Sequence, residues 1–272
     1  MSQVKAETVA GPARLIMRRT ERRVYAACAL AFATALVPVI YFSKTMAGAM
    51  LMPGGWQMSM AWMPMGGWAT ATLMFAFMWL AMMVAMMLPS TLPVVLLFRR
   101  FQVFRGTAHP ARLSVVLAGG YFLAWSGFGA AAYGGGVLIT QVAMRSGALS
   151  RAVPTLASLA LILAGLFQLT SWKQSCLGHC RDPLLLVANH AGNGWRGAFR
   201  LGFHHGAFCI ACCWALMLVQ LAVGVMNLAL MAVIALAIAM EKMLPRGPVL
   251  ARAAGVLIAA VGILRLVHVW FS

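Results

Sequence analysis

Acidic residues are almost missing from this chain, with four in 272 positions. Charged residues of both signs make up only 9%, too few to cover the surface of a soluble domain of this size. No stretch resembles an ATP-binding loop or a phosphorylated-aspartate pump motif, so any transport would be passive or coupled. Neither a soluble domain nor an internal repeat is visible. Cysteine is scarce over most of the length as well: Cys28 stands alone in an apolar run and reads as a small buried residue.

What the chain has instead is hydrocarbon. Its composition is 63% hydrophobic and its mean hydropathy is +0.89. Apolar runs near 20 residues recur, which predicts an all-α fold, a polytopic transmembrane helical bundle of about seven spans. A basic leader covers 1–23, a first span 24–42, a methionine-rich loop 43–67 and a core membrane domain 68–272. Within that core lies a Cys/His-rich connector, 171–214. Ala47 and Ala49 loosely mimic a signal cleavage site, but the preceding apolar run is long for a signal core and reads as an uncleaved span. Later spans are expected near 68–98, 113–144, 152–172, 203–223, 226–240 and 250–270, with Pro89 and Pro93 bending or breaking the second.

The charge of +17 and pI near 11.2 do not point to nucleic acid, because the basic residues form short strips beside apolar runs. With the N-terminus inside, 17 of the 21 basic residues fall in inner segments, as the positive-inside rule requires. That places the connector in the cytoplasm, the methionine-rich loop outside, and the protein in a bacterial cytoplasmic (inner) membrane. The expected partners are the lipid bilayer and a soluble metal-binding protein.

The connector carries the chemistry. It holds five of the six cysteines and four of the six histidines. His205, Cys209, Cys212 and Cys213 recur at i, i+4, i+7 and i+8, which sets them on one helical face. Cys176, His179 and Cys180 end the preceding span at the same expected depth and offer further donors. Glu241, the one acid bordering the last three spans, is expected either to pair with Lys242 or an arginine, or to serve the metal or a proton. His204 is a secondary candidate, while Asp182 reads as a surface group or helix cap and Asn227 as a cap or hydrogen-bonding group at the start of its span. Thiolate and imidazole suit copper(I) or zinc and suit oxygen-loving cations poorly.

Methionine is the other excess: thirteen of 21 lie between 46 and 87. Met74, Met78, Met82 and Met86 recur every four residues, with Met83 and Met87 beside them. Such a stripe is ordinary packing or a ladder of thioether ligands, of which Met82, Met83, Met86 and Met87 lie nearest the connector.

Several of these stretches resemble a known family. MMLPS at 86–90, K-x2-C-L-x2-C-R-x-P at 173–183, H-x-x-x-C-x-x-C-C-W-x-L-M at 205–217 and G-x-M-N…E-K at 224–242 are similar to bacterial predicted metal-binding integral membrane proteins of unknown function. The resemblance spans roughly residues 70–242. It implies a multi-helix membrane fold with a metal site at the Cys/His positions named above, and no settled substrate. The leading expectation is a copper(I) carrier or membrane chaperone. A membrane thiol–disulfide oxidoreductase using Cys176/Cys180 and Cys209/Cys212, and a structural zinc clamp, are the alternatives.

Overall fold

A computed structural model of the chain describes residues 2–45, 49–64, 66–190, 192 and 194–271, and the side chains of all these except 2–20, 49, 189 and 190. Met46 and Met65 of the methionine-rich loop, and the side chains of His190 and the first leader arginines, lie outside the described residues.

Nine α-helices make up the described fold: α1 Ser2–Thr45, α2 Trp68–Phe104, α3 Pro110–Arg145, α4 Gly147–Leu169, α5 Ser171–Arg181, α6 Pro183–His190, α7 Gly194–Val223, α8 Leu228–Met243 and α9 Gly247–Phe271. The chain is an all-α bundle, and among the described residues six helices are long and apolar enough to cross a membrane. Seven spans were expected. The difference is α8, whose 16 residues give about 24 Å of rise against a hydrocarbon core of about 30 Å. Outward faces are apolar: Leu73, Leu138, Leu163, Leu236 and Leu264 are each more than half exposed. Polar groups are found inside, where Lys173, His205, Glu241 and Lys242 are buried. That inverted polarity suits a lipid surround better than water.

Of the bend or break expected in α2, the break does not occur. The helix runs unbroken for 37 residues with Pro89 and Pro93 inside it. Beside them the Ser90 and Thr91 hydroxyls donate to the Met87 carbonyl at 3.0 and 2.9 Å. Between α3 and α7 the spacing is set by glycine. A Cβ at Gly202 would collide with the Leu117 carbonyl and one at Gly206 with the Tyr121 backbone, so only bare backbone permits this approach.

Residues 49–62, expected to be irregular, form a small built unit. Strands β1 Ala49–Leu51 and β2 Gln57–Ser59 pair antiparallel, with Met50 opposite Met58, and a 3-10 turn follows at Met60–Trp62. The unit docks on the start of α4, where Trp56 Nε1 donates to the Ser150 carbonyl at 3.0 Å and Ser150 Oγ donates to the Pro53 carbonyl at 2.6 Å. Trp62 then covers Gly136 of α3 and stands 5.6 Å from the Phe75 ring. The connector is likewise helical. Thr170 Oγ1 accepts from Lys173 N and starts α5, and Asp182 Oδ1 accepts from Leu185 N and starts α6, the capping role read from sequence. Asn227 caps α8 in the same way.

Candidate metal centre

Helix α5 buries Lys173, Cys176, Leu177 and Cys180, positions i, i+3, i+4 and i+7 that share one face. Helix α7 buries His205, Cys209, Cys212 and Cys213, none more than 1% exposed. The two faces meet. Cys180 Sγ lies 3.7 Å from Cys212 Sγ, which lies 3.3 Å from Cys213 Sγ. Cys212 also donates to the Cys209 carbonyl at 3.3 Å. Cys176 is buried in the same core, and loss of hydration pushes its thiol above the ordinary value against the pull of Lys173.

Two buried lysines flank the sulfurs, each from a different helix. Lys173 Nζ donates to Glu241 Oε2 at 2.7 Å and to the Cys212 carbonyl at 2.6 Å. Gln168 Nε2 holds the other Glu241 oxygen at 3.2 Å. Burial alone would lower the Lys173 ammonium, but the charges of Cys213 and Glu241 outweigh it and hold the group above its usual value. Lys242 has no such carboxylate: its Nζ donates to Cys209 Sγ at 2.9 Å and reaches Ser90 Oγ at 3.5 Å. An ammonium taken out of water needs an anion. The Cys209 sulfur is the group placed to supply one.

Tyr121 of α3 completes this side, its hydroxyl 3.0 Å from Cys209 Sγ. The same ring stacks on His205, with centroids 5.3 Å apart. His205 Nε2 is buried and has no hydrogen-bond partner. A polar atom left in that condition marks a place for an ion or water.

Not every expected donor joins the cluster. His179 is on the exposed side of α5, its Nδ1 3.0 Å from the Ser175 carbonyl and its ring stacked on Phe208. His204 packs edge-on against Phe208. Glu241 is turned to Lys173 and Gln168, and its partner is not the neighbouring Lys242, because adjacent helical residues face different ways. Sequence reasoning passed over Lys173, Tyr121, Gln168 and Ser90. For Lys173 a signal existed, since K-x2-C-x3-C puts it on the cysteine face of α5.

Met82, Met83, Met86 and Met87 are buried in the same core as the five cysteines. A second apolar core includes Phe98, Leu113, Leu117, Leu186, Val187 and Leu201. Cys209 lies fifteen residues into α7, about 22 Å of rise, so the sulfurs sit deeper than the helix end.

Among the described residues no three Cys, His, Asp or Glu donors surround a common point able to hold an ion. The sulfur contacts run pairwise, through Cys212. A ready four-donor cage of the zinc type is therefore not formed, whereas cysteine sulfurs in contact are at hand, and soft sulfur ligands suit copper(I).

A family model described as copper chaperone matches residues 76–265. No curated protein and no solved structure matches the chain.

Proposed function

The chain belongs to the PpoB2 copper chaperone family, and from that premise we propose that it is a membrane carrier or chaperone for copper(I), which it holds on thiolates of α7 and α5. Copper is the cargo. Cys212 is the central donor, with Cys213, Cys180 and Cys209 within reach of it by small rotations of the side chains, and His205 beside Cys209.

The observation that carries this reading is the pairing of Lys242 with Cys209 beside that run of sulfurs. Two thiolates on a monovalent ion leave one negative charge, and where Cys209 is one of the two, with Cys212 the other, Lys242 balances it. The Lys173–Glu241 pair is neutral by itself. A loaded centre is then electrically neutral, which a low-dielectric interior demands. Zinc would need a third and fourth donor to close around it. An oxidoreductase would need its thiols to meet an external dithiol, yet all six cysteines are free and five are buried.

Copper(I) uptake into vesicles carrying the protein tests the proposal, wild type against Cys209/Cys212/Cys213→Ser. Loss of uptake by the triple variant is expected. Equal uptake by both proteins overturns it.

A further inference from the structure

The buried cysteines give no account of how an ion would reach them, and the structure holds two cavities that the centre does not use. The first lies between the 3-10 turn and α2, and its wall includes Met60, Met63, Met74 and Met78. Its cavity volume of about 20 Å³ is that of one water-sized guest, fit for a desolvated ion and too small for a hydrated one. Met74 is 40% exposed and Met78 only 2%, so the thioethers grade from surface to interior. The second cavity has Met78 in its wall too, with Met82, Met226 and Met231. Met82 in turn belongs to the core that contains Cys209 and Cys212.

We propose that the cavity between Met60, Met63, Met74 and Met78 is a copper(I) entry site, and that Met78 passes the ion to the second cavity. The chemistry favours a soft monovalent ion. Thioether sulfur is uncharged and polarisable, so it binds copper(I) or silver(I) and leaves sodium, magnesium and zinc in water. Being neutral, the site adds no counter-charge to hold the ion back, and weak sites in series let an ion enter and also leave. Successive methionines on α2, four residues apart, stand about 6 Å apart in rise, a step that side-chain motion spans. Among the described residues no other polar side chain lines the first cavity, which separates this role from that of the thiolates. The inference rests on copper being the cargo.

Selenium-edge X-ray absorption of the full chain, made with selenomethionine and loaded with two equivalents of copper(I) in detergent, tests it. A copper shell around selenium is expected in the wild type. It should persist in Cys209/Cys212/Cys213→Ser and fall at least about tenfold in Met60/Met63/Met74/Met78→Leu, a nearly volume-conserving change. No copper shell in the wild type overturns the entry site, as does a shell undiminished in the leucine variant. Should that variant fail to fold, Met60/Met63→Leu, which leaves α2 untouched, is read in its place, and a shell it leaves undiminished overturns the entry site. Copper bound at full stoichiometry by the cysteine variant would sink the thiolate reading instead, and a selenium shell would survive that result.

Discussion

Lys242 Nζ stands 2.9 Å from Cys209 Sγ, an ammonium and a thiol buried together in the interior of an apolar bundle. The carboxylate next to it in sequence, Glu241, is engaged by Lys173. This division of two lysines between one carboxylate and one sulfur is what sets the charge of the centre, and it leads to separate outcomes for the two pairs.

Lys242→Met removes the counter-charge and keeps the bulk. Copper(I) affinity, measured by competition with a colorimetric copper(I) chelator, should weaken by at least about tenfold, or about 1.4 kcal/mol. Lys242→Arg should recover part of the loss. Unchanged affinity in the methionine variant would show that Cys209 does not depend on the ammonium.

Glu241→Gln leaves the Lys173 ammonium buried with a carbonyl and a neutral amide. Losing one partner of a buried pair costs about 3–5 kcal/mol, so the melting temperature in detergent should fall clearly. The double change Lys173→Met/Glu241→Leu should restore much of it. Retained melting temperature with lost copper binding would make Glu241 a ligand, contrary to its position here.

His179→Ala should leave copper(I) affinity within about twofold of wild type, because the ring is on the exposed side of α5 and stacked on Phe208. His205→Ala should weaken it further than that, since its orphaned nitrogen lies a turn before Cys209. The same chelator competition reads both, and a reversed order would contradict the arrangement.

Gly202→Ala places a methyl group against the Leu117 carbonyl. Forcing α3 and α7 apart should cost about 1–3 kcal/mol and move Tyr121 away from Cys209. A thermal melt, with copper affinity measured alongside, checks it; a variant as stable as wild type would mean the helices can separate freely.

Much of this architecture could be read from the residues alone. Apolar runs announce the bundle, and helical spacing puts His205, Cys209, Cys212 and Cys213 on one face without any tertiary information. That this face would meet Cys180 followed from matching depths. Pairings across the bundle did not follow. Glu241 and Lys242 are neighbours in sequence, and only the packing of α5 and α7 sends one to Lys173 and the other to Cys209. His179 misled because it sits between two buried cysteines, while the buried face of α5 runs through Lys173, Leu177 and Cys180 instead. The hairpin at 49–59 was hidden because each strand is three residues long, too short for alternation to show, and because its fixing points on Ser150 are remote in sequence. The span expected at 226–240 was already only 15 residues long, close to the 16 of α8; counting it as a full crossing overlooked the length that a hydrocarbon core of about 30 Å requires.

Copper-edge X-ray absorption of the purified chain, loaded with one equivalent of copper(I), tests the central claim most directly. The account predicts a monovalent copper with a sulfur-only or sulfur-dominated shell, abolished or remade in Cys212/Cys213→Ser. A shell of oxygen and nitrogen, or a spectrum that the double serine variant leaves unchanged, would contradict it.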